Sequence, residues 1–268
     1  MKIPKYWAKT TEVARSPDGR AYRLACWQWS DDSLAQAQQR AGDRAKELAQ
    51  KVLAGGPLNR YGYAERPLRE EITQSVKTQT GHEIGVVTRN LYGAQILNTT
   101  NAMFIDIDIG EQASPAAAAG PLQRVSAWAG QHRDVGLRVY RTNAGLRCLI
   151  TNQVFDPGQA ESLDILRALG SDPLYVRLCQ AQGCFRARLT PKPWRANIGT
   201  PPNRYPWDDP AAEARYREWQ RRYEQSIRPY AVCKLVQQLG PAETHPDIAP
   251  VVALHDEVTR TAEQRPLA

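Results

Sequence analysis

The stretch AMFIDIDIG, residues 102–110, alternates apolar and polar side chains, and it constrains the fold more than any other part of the chain. Successive side chains of a β-strand point to opposite faces. Ile105 and Ile107 therefore share one face, and Asp106 and Asp108 share the other. Burying two unpaired carboxylates side by side costs on the order of several kcal/mol. We therefore expect a cation over this face, supplied by a metal ion or by basic side chains.

The overall charge of the chain is moderately positive. Its 268 residues include 35 basic and 28 acidic side chains, a formal charge of +7. That excess suits an anionic partner such as nucleic acid or nucleotides, and equally suits simple solubility. The chain contains no run of roughly 18 apolar residues, so the sequence predicts no membrane span. The first residues also lack the apolar core of a secretory signal. We expect a cytoplasmic protein without a membrane partner, and the sequence leaves its oligomeric state open.

The order of predicted elements points to an α+β fold. From the strand at 102–109 onward, the patterns predict β-α-β-β-α-β, the ferredoxin-like arrangement that RRM domains share. In this arrangement the first strand lies between the third and the fourth. The hairpin GLRVYRT–GLRCLIT turns at Asn143 and Ala144, and CFRARLT is the last strand. The core is therefore expected to be an RRM-like sheet with two helices.

Three regions follow from this pattern. Residues 1–83 are predicted to form an N-terminal α/β elaboration that includes a short helix over 66–79. Residues 84–195 form the palm-like core. Residues 196–268 form a proline-rich loop followed by C-terminal helices, the first of them a charged helix over 211–240. His255, Asp256 and Glu257, in the closing helix, are interpreted as a surface helix turn rather than as ligands or an acid–base pair.

Alternation in the neighbouring strands predicts which side chains face the two aspartates. In GLRCLIT, Arg147 points away from the apolar face, and in CFRARLT, Arg186 and Arg188 do the same. All three are expected on the side of Asp106 and Asp108, provided that the strand register is correct. Either the carboxylates hold divalent cations that bridge nucleotide phosphates, or they pair with the arginines in an ion-pair network.

The element order, with FIDIDI on the first strand, resembles the catalytic core of the archaeo-eukaryotic primase superfamily, which includes the primase-polymerases. The resemblance covers roughly residues 84–195. Members have an RRM-like palm with an Asp-x-Asp metal motif on its first strand, and Asp106 and Asp108 match that motif. The family's second motif, Ser-x-x-Gly-x-His, falls on RTNAGLRCLIT, where Arg147 stands in place of the histidine. The nearest candidate for the third acidic position is Asp172.

The resemblance implies a divergent, metal-dependent nucleotidyltransferase that takes part in DNA replication. It would use nucleoside triphosphates on a nucleic-acid template, with Mg²⁺ or Mn²⁺ held by Asp106, Asp108 and Asp172. The phosphates would be bound by Arg147, Arg186, Arg188 and Lys192. Because Arg147 replaces the histidine, the alternative is a catalytically inactive RRM-like protein that binds nucleic acid or nucleotides. A third possibility is an interaction protein with no ligand on this face.

The segment CFRARLTPKPWR combines basic and aromatic side chains at the end of the predicted core. Lys192 and Trp194 could contact phosphates and bases by charge and stacking. The alternative is a solvated strand edge in which Trp194 covers the hydrophobic core. The charged helix ARYREWQRRYEQSIR is interpreted as a solvated face with its aromatic side chains partly buried.

Overall fold

The structure of this protein, a computed structural model, describes residues 1–57, 66–111 and 114–268. Over these ranges the fold is α+β, as the sequence predicts, with antiparallel sheets and helices. The chain divides into two compact units: residues 2–71, and residues 72–268 together with Met1. None of the described helices has the length and apolar character needed to cross a membrane.

The first unit is a hairpin packed on one helix. Strands β1 (Tyr6–Arg15) and β2 (Ala21–Ser30) pair in antiparallel register, and α1 (Leu34–Leu53) packs on them. The side chain of Ser33 caps α1 by accepting a hydrogen bond from the backbone N–H of Gln36. Small residues spaced along α1, such as Ala37 and Ala41, are fully buried and allow close approach to the hairpin. The predicted α/β character of the N-terminal region is therefore observed.

The second unit contains two four-stranded sheets. Its elements are β3 (Glu71–Lys77), β4 (Glu83–Arg89), β5 (Gln95–Thr99), β6 (Phe104–Asp108), α2 (Pro115–Gln131), β7 (Leu137–Thr142), β8 (Gly145–Ile150), α3 (Ala160–Ala168), α4 (Pro173–Gln182), β9 (Phe185–Arg188), α5 (Pro210–Ser226), β10 (Cys233–Leu239) and α6 (Ala249–Thr259). A 3₁₀ helix, Pro193–Ala196, follows β9. One sheet has the order β10-β7-β8-β6, and the other has the order β3-β4-β5-β9.

The pairing of β9 differs from the ferredoxin-like expectation. The sequence predicts β6 between β8 and β9, whereas β6 pairs with β8 and β9 pairs with β5. The hydroxyl of Tyr175 lies 2.9 Å from the carbonyl oxygen of Phe104 on β6 and accepts a hydrogen bond from the N–H of Arg186 on β9 at 3.2 Å. This hydroxyl joins the two strands where ladder hydrogen bonds would otherwise form.

Three further elements differ from the sequence prediction. Residues 71–77 form β3 rather than a helix, and the hydroxyl of Thr73 donates to the carbonyl oxygen of Val87 on β4. The predicted helix over 211–240 ends at Ser226, and its last third is β10, which extends the core sheet. The additional helix α4 begins at Pro173, capped by Asp172. In each case sheet pairing or a local cap overrides the helical or strand pattern of the isolated segment.

The hydrophobic core of the second unit includes the apolar faces of these sheets and also Phe104, which shares the Asp106 face of β6 and packs against α6. Ile105 and Ile107 of β6 are buried beside Cys148 of β8, which confirms the alternation predicted for both strands. Helix α2 adds Val125, and α6 adds Val251. The opposite face of β6 and β8 is therefore the one on which the predicted polar residues meet.

Candidate functional site

Asp106 and Arg147 stand directly opposite each other on β6 and β8. The Oδ1 atom of Asp106 lies 3.8 Å from Nε of Arg147, which makes an ion pair but is too long for a hydrogen bond. The Arg147 side chain is 3% exposed, and that of Asp106 is 46% exposed. The predicted meeting of these two residues on one face is confirmed. The pair leaves nearly half of the Asp106 side chain accessible to a ligand.

The guanidinium of Arg147 has two other partners. Its Nη1 donates to the carbonyl oxygen of Arg188 at 2.8 Å, which ties β8 to β9. The same Nη1 lies 3.3 Å from Nε2 of His255 on α6. A guanidinium only donates hydrogen bonds, so this Nε2 accepts, and His255 is neutral with its proton on Nδ1.

The second nitrogen of His255 completes a buried polar network. Its Nδ1 donates to Oδ1 of Asp256 at 2.9 Å, and the hydroxyl of Tyr140 donates to the same oxygen at 2.9 Å. The other oxygen, Oδ2, pairs with Arg138 at 2.8 Å. Asp256 is thereby satisfied by three donors, which fixes the orientation of the imidazole behind Arg147.

The pKa values of the groups in this network are shifted by burial and by neighbouring charges and hydrogen bonds. Burial lowers the pKa of His255 to about 4, and the charge of Arg147 adds to that effect, although Asp256 opposes it. Burial also raises the pKa of Tyr140 far above its ordinary value, reinforced by Asp256. Burial alone would raise the pKa of Asp256, but the hydrogen bond from His255 holds this pKa below its usual range. The network therefore holds a neutral imidazole against a carboxylate at neutral pH.

The interpretation of His255 and Asp256 as a surface helix turn is wrong. His255 is fully buried, and its ring packs 5.3 Å from the ring centroid of Phe104 and 4.8 Å from that of Tyr140. One sequence signal could have placed it inside. His255 lies four residues after Val251 and four before Thr259, and all three form the buried stripe of α6.

Further basic side chains extend from Arg147 along the end of β9. Burial, together with the charge of the nearby Arg147, lowers the pKa of Arg188 to about 10. It therefore stays charged at neutral pH. Arg195 makes a bidentate pair with Glu111, at 3.0 Å from Nε and 2.6 Å from Nη2, and Lys192 reaches Glu111 at 3.4 Å. We call Arg147, Arg188, Lys192 and Arg195 the basic cluster.

Several donors of the basic cluster lack an acceptor. Within the described part of the chain, the buried Nε atoms of Arg147 and Arg188 and Nη1 of Arg195 have no hydrogen-bond partner. A buried donor left unpaired costs roughly 1–3 kcal/mol. The cluster sets four cations against the carboxylates of Asp106 and Glu111. Burial, with the charges of Arg188 and Arg195, also lowers the pKa of Lys192. An anion would relieve both the unpaired donors and the excess charge.

Asp108 lies at the open end of β6. It faces Gly145, where a Cβ atom would come 1.9 Å from the carbonyl oxygen of Ile107, so β6 and β8 approach closely only because this residue is glycine. With no side chain opposite, the Asp108 carboxylate is exposed, and its Oδ1 accepts a hydrogen bond from the N–H of Gly110 at 3.2 Å. Asp106 and Asp108 therefore both present oxygens to solvent.

Asp172 is near Asp106 through its backbone. Its N–H donates to the carbonyl oxygen of Asp106 at 2.9 Å, while its carboxylate accepts from the N–H of Leu174 at 3.0 Å and caps α4. The residue therefore lies at a helix start and not on a later strand. A cap occupies one carboxylate oxygen, which leaves the other for a ligand.

Arg186 precedes Arg188 by two residues, and Trp194 lies between Lys192 and Arg195 in the sequence. Arg186 is beside α4, where its charge opposes the burial that raises the pKa of Cys179 to about 12. The interpretation of Trp194 as a core-covering residue is wrong, because its side chain is 47% exposed. On α5, Trp219 and Tyr223 are buried, which confirms the interpretation of that helix as having a buried aromatic face.

Two observations bear on ligands and relatives. Among the residues that the structure describes, no group of three His, Cys, Asp or Glu side chains is arranged to hold a metal ion. Asp106 and Asp108 offer two accessible carboxylates on one strand, a set that suits a cation whose remaining positions are filled by water or phosphate oxygens. Comparison of the chain with protein-family models, with curated proteins and with solved structures finds no match.

Proposed function

We propose that the basic cluster binds the phosphates of a nucleoside triphosphate, and that the protein is a divergent primase-polymerase-like nucleotidyltransferase acting on a nucleic-acid template. One observation carries the proposal: buried guanidinium donors without acceptors lie beside the half-exposed carboxylate of Asp106, and the exposed Asp108 follows two residues later on the same strand. Guanidinium groups bind phosphate oxygens through paired, charge-assisted hydrogen bonds. The excess of cations over carboxylates in the cluster favours an anion of more than one charge.

The side chains divide into two groups in this proposal. Arg188 and Lys192 bind and orient the phosphates, while Arg147, held by His255, keeps Asp106 in place. Asp106 and Asp108 would hold Mg²⁺ or Mn²⁺, with Asp172 as the third candidate ligand, since hard cations of this kind take carboxylate and phosphate oxygens. When bound, such an ion supplies charge stabilisation for phosphoryl transfer. Arg186 remains a candidate for contact with a nucleic-acid backbone, in keeping with its place on β9.

A second candidate function is metal-free binding of a nucleotide or nucleic acid by the same cluster. The ion pair between Asp106 and Arg147 favours this alternative, because a carboxylate that already faces a guanidinium needs no metal to balance its charge. The two functions differ in one measurable respect. Nucleotidyl transfer requires a divalent cation at Asp106 and Asp108, whereas binding alone does not.

Isothermal titration calorimetry distinguishes the two candidate functions. Binding of Mn²⁺ is measured with and without a nucleoside triphosphate, and binding of the triphosphate is measured with and without Mn²⁺. The variants are Asp106→Asn/Asp108→Asn, Arg188→Gln and, as a control, Arg167→Gln, an exposed arginine paired only with Asp164 in the described structure. The paired carboxylate is half exposed, so the Asp106→Asn change should cost less than about 1 kcal/mol of stability. Arg188→Gln should weaken triphosphate binding by about tenfold or more.

The outcomes assign the function. Mn²⁺ binding that disappears in the double aspartate variant supports nucleotidyl transfer, and template-directed incorporation of labelled nucleotides then tests it. Triphosphate binding that needs no Mn²⁺ and survives the double variant supports the metal-free alternative. Triphosphate binding that is equal in wild type, Arg188→Gln and Arg167→Gln would overturn the assignment of the basic cluster to phosphate.

A further inference from the structure

Two exposed aromatic side chains meet next to the basic cluster. The rings of Tyr92, in the β4–β5 turn, and Trp194, in the 3₁₀ helix after β9, are 5.2 Å apart between centroids and nearly perpendicular, at 82°. Their side chains are 41% and 47% exposed. We call these two residues the aromatic pair. Aromatic faces left in water at such a junction mark a surface that binds something flat and apolar.

The turn that carries Tyr92 is fixed by its own hydrogen bonds and by packing. The side-chain oxygen of Asn90 accepts from the N–H groups of Tyr92 and Ala94, at 3.0 and 3.1 Å. Gly93 has a φ of +80°, and a Cβ atom there would lie 2.2 Å from the ring of Trp219 on α5. The turn therefore rests on a buried aromatic side chain, and Tyr92 is held in place before any ligand arrives.

The aromatic pair is continuous with the basic cluster. Lys192 Nζ lies 5.5 Å from the ring centroid of Trp194, within the range of a cation–π contact. Arg195 follows Trp194 directly and carries an unpaired buried N–H. A chain molecule lying across this surface would meet cationic groups and an aromatic face in immediate succession. Nucleic acid alternates in the same way between charged phosphates and flat bases.

We propose that the aromatic pair stacks a base of a single-stranded nucleic acid whose adjoining phosphate is bound by Arg195. The inference rests on the proposed function and adds the strand that the site would act on. A single strand is specified because bases within a duplex are stacked on one another and offer no free face to a protein ring. Arg188 and Lys192 remain for the triphosphate.

The test uses fluorescence anisotropy of a labelled oligothymidylate of about 12 nucleotides, a length within the range of known single-strand sites. Trp194→Ala and Tyr92→Ala should each weaken oligonucleotide binding by about tenfold, and Trp194→Phe should retain most of it, because a phenyl ring still stacks. Tyr6→Ala, which removes an exposed aromatic residue of the first unit, is the matched control and should bind as wild type. Calorimetric binding of the triphosphate should be unchanged in all four variants.

Each result has a definite meaning, and failure of this inference is distinguishable from failure of the proposed function. A wild type that binds the triphosphate but not the oligonucleotide would overturn the stacking surface and leave the phosphate site intact. Equal oligonucleotide affinity in Trp194→Ala, Tyr92→Ala and Tyr6→Ala would overturn it as well. Loss of triphosphate binding in Trp194→Ala would mean that the pair holds the base of the nucleotide and not a strand. Preference for a duplex of the same sequence would contradict the choice of substrate class.

Discussion

The Nε2 atom of His255 lies 3.3 Å from Nη1 of Arg147, so a neutral imidazole on α6 accepts a hydrogen bond from a guanidinium on β8. The same guanidinium faces Asp106 across the sheet and donates to the backbone of β9. One buried side chain of the C-terminal helix thus sets the position of the cation behind the candidate site. The stability of the site is therefore tied to α6.

Replacing His255 with Ala should destabilise the protein by roughly 2–4 kcal/mol. The change leaves a cavity in a fully buried position and removes hydrogen-bond partners from Asp256 and Arg147. Chemical denaturation measures the loss. His82→Ala, in an exposed turn, is the control and should stay within about 0.5 kcal/mol of wild type. Equal stability of the two variants would show that the network contributes little to folding.

The same histidine predicts that stability falls in acid. Its pKa is about 4 in the folded protein against an ordinary value of 6.5, so between these values the unfolded chain binds the proton that the folded protein excludes. Stability therefore rises with pH through this window, and its loss on going from about pH 6.5 to about pH 4 amounts to roughly 3 kcal/mol.

Denaturation curves at several pH values test this dependence in wild type and in His255→Gln. The hydrogen bond from His255 also lowers the pKa of Asp256, so the difference between the two curves reports the His255–Asp256 pair, while groups that do not contact His255 contribute to both curves. Wild type should lose more stability than the variant as the pH falls from about 6.5 to about 4. Parallel curves would mean that His255 titrates normally and is not the buried neutral residue described above.

The polar face of β6 and β8 could be predicted from the sequence because it depends on local rules. Alternation along each strand places Arg147 on the same face as Asp106, whereas their directly opposite positions depend on the register of β6 with β8. His255 is 108 residues from Arg147 in the chain, and no local pattern specifies which helix covers which face. The sequence did carry the weaker signal that His255 lies on the apolar stripe of α6.

The strand order was predicted only in part for the same reason. The pairing of β6 with β8 agrees with the ferredoxin-like order, whereas β9 pairs with β5 and is joined to β6 through a hydroxyl of α4, a helix that the pattern does not indicate. β10 was read as the end of a charged helix because Lys, Leu and Gln suit helices in isolation. Its pairing with β7, nearly a hundred residues earlier, overrides that preference.

Tyr175→Phe should weaken the junction between β6 and β9. The hydroxyl accepts from the N–H of Arg186 and lies 2.9 Å from the carbonyl oxygen of Phe104, so its removal leaves buried backbone groups unpaired, at a cost of about 1–3 kcal/mol. Faster hydrogen exchange of the Arg186 amide would locate the loss. Tyr6→Phe, at an exposed site, is the control, and an unchanged exchange rate would exclude the hydroxyl as the link between the strands.

Glu111→Gln should increase, not decrease, the affinity for a nucleoside triphosphate. Glu111 lies 2.6 Å from Arg195 and 3.4 Å from Lys192. The hydrogen bond from Arg195 holds the pKa of Glu111 below its usual range, so the carboxylate is charged and competes with the triphosphate for Lys192. Glutamine removes the negative charge and keeps the size of the side chain. For a partly exposed group the gain is on the order of 1 kcal/mol, or about fivefold in Kd.

Glu218→Gln provides the matched control for that measurement, because Glu218 pairs with arginines on the exposed face of α5 and not with the basic cluster. Its triphosphate affinity should equal that of wild type in the same calorimetric titration. A weaker affinity in Glu111→Gln would reverse the assigned role: the carboxylate would then hold Arg195 in the orientation that phosphate requires, and the bidentate pair would be part of the binding site instead of its competitor.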